Sequence, residues 1–313
     1  MLRYVIRRIL LAIPTLLGVA FLTFVLFYAT SSPEQIARRN LSAKNPTPQQ
    51  IKAWLHQHGY DKPKWVQFKE TTEALFLLRF GKSDATGENI WTRIKEGAGP
   101  SFEVQIVVLM ASLTVSICFA LGLAYFRATY LDYWGAFLCV LLMSITALVY
   151  IMTGQFIFGK LLRWFPLAGY RHGFDSLRFI LLPVLVALIS GLGGTTRLFR
   201  TFMLDAMNQD YVRTARAKGV SETRVLFKHV LKNAAIPIAS SVVASIPGLF
   251  LGSLLLESFF DIPGLGSYTV DAINGQDFAV VRAMVFLGAL VTIVGYILTD
   301  ICYALLDPRV RLE

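Results

Sequence analysis

Charge is scarce in this chain. Of its 313 residues only 16% are Asp, Glu, Lys or Arg, and 55% are hydrophobic, against roughly a quarter charged in soluble domains. Apolar runs of about 20 residues recur, each long enough to cross a bilayer as a helix, so a soluble fold is excluded and a polytopic helical membrane protein is indicated. Cysteine is nearly missing. Cys118, Cys139 and Cys302 fall inside apolar runs without metal-ligand spacing and read as small apolar packing residues. His56 and His58 lie two apart, which does not put both on one helix face, and no Cys or third His is near; they read as a surface pair. No Gly-Lys-Ser/Thr phosphate loop, Walker aspartate or nucleophile elbow is present, and Gly191, Gly193 and Gly194 lie in an apolar run, where close helix approach is the better reading. No row of ionisable groups crosses the apolar runs, so a proton relay lacks its parts. Among the acids at run ends, Glu257 reads as an interfacial helix-end charge and Asp300 as a tether.

What is there is an all-α pattern of six spans: 9–30, 104–125, 134–158, 179–196, 236–256 and 283–306. The first is too long for a signal-peptide core. The fourth is expected to break at Pro183 and its glycines, and the fifth to kink at Pro247, as packing or as a hinge. Residues 31–103 form one polar insertion with short helices at 49–55 and 68–80. The expected units are 1–30, the insertion 31–103, a core 104–306 with the loop 197–235, and a tail 307–313. Fourteen Lys and Arg fall on one side of this arrangement, against four in the two short loops on the other. That places both termini in the cytoplasm and the insertion outside. It also accounts for the net charge of +10 without nucleic acid. Hydroxyls and amides such as Gln155, Ser190, Thr195 and Ser253 are the candidates to line a path through the spans, and imply a wide, adaptable route.

One long basic stretch, 210–237, interrupts the apolar runs. It reads as two helices joined at Gly219, with Asp210 capping the first, Ser221 capping the second and Pro237 opening the next span. Arg224, Lys228 and Lys232 form a basic stripe, and Ala215 and Ala217 are small enough for another protein surface to come close. A solvated loop facing lipid headgroups and a DNA-binding helix-turn-helix have the same outline; apolar spans on both sides weigh against the second.

The order DYVRTARAKG followed by His229, Asn233 and Pro237 resembles the cytoplasmic "EAA" loop of bacterial ABC-importer permeases, nearest to the dipeptide/oligopeptide family. A strict Glu-Ala-Ala is replaced by Thr214, Ala215 and Arg216. The start MLRYVIRRILLAIPTLLGV, the segment FGKSDATGENIWTRIKEGAGPSFEV, the loop WFPLAGY, the run SFFDIPGLGSYTVDAINGQDF and the tail LLDPR resemble the same family. The resemblance implies the type I ABC importer permease fold in the bacterial inner membrane. It implies a coupling helix comprising Tyr211, Arg213, Thr214, Ala215, Arg216, Ala217, Lys218, Gly219, Val220 and His229. It also implies a path or gate involving Gln155, Ser190, Thr195, Pro247, Glu257, Pro263, Gly264 and Gly266. The implied partners are a homologous second permease, two ATPase subunits that bind ATP and Mg, a periplasmic substrate-binding protein and membrane lipid. The chain itself would carry no cofactor and no catalytic residue. Dipeptides, oligopeptides, modified peptides, nickel chelates and sugars all remain possible cargo, peptides being the commonest. An ion-gradient-driven transporter and a non-transporting scaffold are the alternatives.

Overall fold

The computed structural model describes residues 2–30, 32–41, 46–171, 173 and 175–306, and among them the chain is helical with no strand. Helix α1 (Leu2–Thr30) holds an 18-residue window of mean hydropathy 2.6 within Ile6–Ala29 and keeps Pro14 inside it without a break. The insertion contributes α2 (Pro33–Asn40), α3 (Pro48–Gln57) and α4 (Lys64–Phe76). Helices α2 and α3 begin on the same device. Ser32 and Thr47 accept from the backbone N–H of Gln35 and Gln50, whose side chains accept from the caps in return, and proline follows each cap. The pattern at 49–55 is realised in α3. Helix α4 stops at Phe76, short of the expected residue 80, and Leu78 just beyond it has a φ of +54°. The insertion seats an aromatic cluster of Phe27, Trp54 and Tyr60 against Phe278.

Helix α5 (Ile90–Tyr125) starts well ahead of Val104, because Asn89 accepts from the N–H groups of Trp91 and Thr92 and opens the helix there. The third span is not straight. Helices α6 (Tyr130–Met143) and α7 (Ala147–Gly154) meet at 90°, and α7 runs on as a wide π turn to Leu161. Ser144 sends its hydroxyl back to the Val140 carbonyl at 2.8 Å, and the Tyr150 hydroxyl donates to the Leu142 carbonyl at 2.8 Å, bracing the corner. Helix α8 (Ser176–Met207) is continuous, which corrects the expected break at Pro183 and the glycines. Gly193 instead lies so near the Cys139 carbonyl that a Cβ would collide with it; the glycine serves close packing on α6.

Helix α9 (Asp210–Ala217) is followed by α10 (Glu222–Arg224), which passes through a π segment at Val225–Val230 into α11 (Leu231–Leu251). Pro237 and Pro247 both lie inside α11, so Pro237 does not open the helix. The break comes at Gly252, φ +70° and ψ −173°, a conformation only glycine adopts readily. Helices α12 (Leu254–Phe259), α13 (Leu265–Asn274) and α14 (Phe278–Leu306) complete the chain. Helices α5 and α8 pack at the centre, α11 bridges them to α14, and α1 leans on α14. Arg8 and Asp300 form an ion pair at 3.0 Å that ties α1 to α14. Five continuous spans and the bent pair α6–α7 give the six crossings of a multi-pass membrane protein. The tail 307–313 lies outside the described residues.

Candidate functional site

Three features converge on α11, one at each end and one along its length. The first is the elbow formed by α9 and α10. Gln209, not Asp210, occupies the cap position, and Asp210 starts the helix proper, where it pairs with Arg213 at 3.5 Å. Val212 and Ala215 are buried among Leu121, Phe199, Met203 and Val230. Ala215 therefore packs on the chain's own bundle and is not the small surface residue that the sequence suggests. The spacing of Val212 and Ala215, three apart and flanked by Arg213 and Arg216, carries that information. Gly219 has φ +74° and open space around the position of a Cβ, so its backbone conformation and not crowding calls for glycine. Its N–H donates to the Arg216 carbonyl at 2.9 Å, and that of Val220 to the Ala215 carbonyl at 3.2 Å. Arg216 closes the turn by a two-pronged pair with Glu222 at 2.8 and 3.1 Å. Tyr211, Arg213, Thr214, Arg216, Ala217, Lys218 and Gly219 face outward with Arg224, Lys228 and Lys232, while Val220 and His229 are half-buried. Beside the elbow, Arg200 grips Asp132 at 2.9 and 2.8 Å, and Asp132 also accepts from the Ala128 N–H. A basic, outward face is thus keyed to the bundle by an apolar underside.

The second feature is an open cleft of about 720 Å³ between α5, α8 and α11. Among the described residues no charged side chain lines it. Ser190 and Thr195 line it, with Gln105, Ser112, Ser241 and Ser245. The sequence held a sign of the last two: Ser241, Ser245, Gly248 and Gly252 recur at helical spacing as a stripe of small residues along α11. A second cavity of about 470 Å³ shares Gln105, Ser190 and Gly252 with the first and includes Ser253. Two expected path residues are elsewhere. The Gln155 amide donates to the Leu167 carbonyl at 3.1 Å and the Phe259 carbonyl at 2.7 Å, tying the π turn after α7 to a loop and to the end of α12. Pro247 is buried against α14, where a Cβ on Gly295 would strike its ring.

The third feature lies at the other end of α11 and corrects the reading of Glu257 as an interfacial charge. Glu257 is 0% exposed. Its carboxylate accepts from the backbone N–H of Ser253 at 3.1 Å, of Gly266 at 2.7 Å and of Ser267 at 3.3 Å, and it bonds the Ser101 hydroxyl. The Ser101 oxygen in turn accepts from the Leu265 N–H at 2.8 Å. Gly252, Gly264 and Gly266 surround the carboxylate, and a Cβ on any of them would collide with it. Pro263, by contrast, is exposed. Other acids join the remaining motifs singled out in the sequence. Glu103 accepts from the hydroxyls of Tyr170 and Ser176, the first of which ends WFPLAGY; burial and that carboxylate push the Tyr170 phenol well up. Asp277, which closes the PGLG run, accepts from the Ser83 hydroxyl of FGKS and from the backbone N–H of Asp84 and Ala85. Burial, with Asp277 next in effect, pushes the Tyr268 phenol up to about 12. The insertion, the loop that carries WFPLAGY and the PGLG run are therefore one hydrogen-bonded unit.

Among the described residues no group of three or more His, Cys, Asp or Glu could hold a metal ion. His56 pairs with Asp61 at 2.7 Å, and His58 stacks on Trp54 with ring centres 4.0 Å apart.

Residues 116–312 match the family model described as the inner membrane component of binding-protein-dependent transport systems, and residues 1–98 match the N-terminal model of the same component. The chain is 32% identical to the oligopeptide transport system permease protein AppB of Bacillus subtilis, with 98% of this chain and 99% of the relative aligned. It is 33% identical to a putative peptide transport system permease protein of Brucella abortus, over 99% of each chain. It is 30% identical to the dipeptide transport system permease protein DppB of Lactococcus lactis, over the full length of both.

Proposed function

We propose, because the chain belongs to the family of inner membrane components of binding-protein-dependent transport systems, that it is the permease subunit of an ATP-driven importer of dipeptides, oligopeptides or related small solutes. The family is a transport component and not a catalytic one, and its members work within a complex of several subunits. In this reading ATP and Mg are bound by two partner ATPase subunits. A second, homologous permease closes the open side of the cleft, and a periplasmic binding protein delivers cargo. Both termini and α9 lie on the cytoplasmic side. Peptides are favoured by the relatives' names, and the uncharged cleft with its hydroxyls and amides suits cargo of varied side chains.

The observation that carries the reading is the elbow: an exposed basic face, fixed from below by Val212 and Ala215 and continuous with the helix that ends at Gly252. The ATPase subunits grip Arg213, Thr214, Ala217 and Lys218, and their closure moves α11 against α5 and α8. Ala217→Trp tests this, since Ala217 is exposed and its replacement spares the bundle. In vesicles holding the assembled complex, the variant is expected to assemble and hydrolyse ATP but to lose uptake. Full uptake by the variant, or uptake that persists without ATP on an ion gradient, would refute the assignment.

A further inference from the structure

Arg282, near the start of α14, takes no part in the features above. It is half-buried, its guanidinium lies 5.5 Å over the Phe27 ring, and its Nε donates to the Phe278 carbonyl at 3.2 Å. Among the described residues it has no ion pair. Its two terminal nitrogens still carry N–H donors in a fixed planar fork. Arg282 lines a pocket of about 390 Å³ whose other walls include His58, Tyr60, Gln67, Lys82 and Asp84 of the insertion.

The pocket is built. Tyr60 stacks between Phe27 and Trp54, with ring centres 5.6 Å from each. Gln67 is held by donating to the Tyr60 carbonyl at 3.1 Å and the Lys62 carbonyl at 2.6 Å. The segment carrying Asp84 is pinned to Asp277. Two carboxylates, Glu70 and Asp84, also line it, and each already has a hydrogen-bond donor. Glu70 is taken by Lys62, and Asp84 accepts from the Tyr60 hydroxyl at 2.9 Å. Among the described residues no carboxylate lies within ion-pair distance of the guanidinium, whose fork faces a volume toward the small end of the range for small-molecule sites.

We propose that this pocket binds a small carboxylate-bearing solute, its two oxygens taken by the Arg282 fork through parallel hydrogen bonds. The pocket shares no residue with the cleft, so the assignment stands whatever passes through the spans. The test is hydrogen exchange of the full-length protein in nanodiscs, read at residues 57–60 and 81–84, on titration with alanyl-alanine, its C-terminal amide, acetate and inorganic phosphate. Alanyl-alanine and acetate are expected to protect both segments saturably and the amide to do nothing, a comparison that needs no variant. Arg282→Gln is expected to weaken alanyl-alanine at least about tenfold, and Arg282→Lys, which keeps the charge without the fork, by less. Equal protection by the amide, tighter binding of phosphate than of either carboxylate, or unchanged affinity in Arg282→Gln would each overturn the assignment.

Discussion

Glu257→Gln keeps the size of the side chain and changes only what its head group offers. Three backbone N–H groups and one hydroxyl converge on the two carboxylate oxygens, at distances of 2.7 to 3.3 Å for the backbone groups. A carboxylate accepts at both oxygens, whereas an amide accepts at one and donates at the other. Turned one way, the new NH2 faces the Ser253 N–H; turned the other, it faces those of Gly266 and Ser267. Either way a buried donor loses its acceptor and meets a second donor. Hydrogen bonds to a charged group contribute about 1.5–3 kcal/mol, and a stranded buried donor costs about 1–3 kcal/mol. The variant should therefore lose roughly 3 kcal/mol, about a hundredfold in the equilibrium that keeps the PGLG turn closed. Hydrogen exchange across 252–267 in nanodiscs reads this directly, and thermal unfolding of the purified protein gives a second measure. Exchange at the wild-type rate with an unchanged unfolding temperature would mean that the carboxylate does not hold the turn, and the argument from the four donors would fail.

The remaining expectations concern the elbow and the insertion. Ala215→Leu should destabilise the protein by about 1–3 kcal/mol through overpacking and lower its yield in the membrane, which fluorescence-detected size-exclusion of the extracted protein would register. Gly219→Ala should cost about 1 kcal/mol, because the residue keeps a left-handed backbone whatever replaces it; rescue by Gly219→Asn relative to Gly219→Ala, in the same assay, would confirm that backbone and not crowding is at issue. Burial lifts the Asp84 carboxyl above its ordinary range. The folded insertion then holds the proton more tightly than the unfolded chain. This stabilisation is complete below the ordinary carboxylate pKa and is lost as pH rises through the lifted value. Protection of residues 81–90, corrected for intrinsic exchange, should fall across that window, and the fall should vanish in Asp84→Asn.

The spans and the elbow were legible because each rests on local information. Long apolar runs, a helix-forming basic stretch and a glycine after Lys218 need no distant partner to be read. Glu257 was not legible. An acid at the end of a span is usually an exposed charge, and its burial follows only when Gly264 and Gly266 fold back to bring their backbone against it. The partners of Gln155 were hidden for the same reason, since one of them, the Phe259 carbonyl, lies 104 residues along the chain. The corner at Ser144 and the π segments were missed because hydroxyl back-bonding and an extra residue in a turn leave apolar periodicity almost unchanged. Proline misled in the opposite direction. Pro183 and Pro237 ride inside helices, whose neighbours absorb the lost hydrogen bonds.

From Glu222 to Leu251 the backbone winds without interruption. Thirty residues at 1.5 Å each make a shaft of about 45 Å. Pivoting such a shaft by roughly 5° at its elbow sweeps the far tip through about 4 Å, more than the width of a water molecule. Gly252 sits at that tip, at the waist shared by the two cavities. In the proposed function, a small stroke at the elbow would therefore reach the lining of both cavities, with no need for any helix along the way to melt.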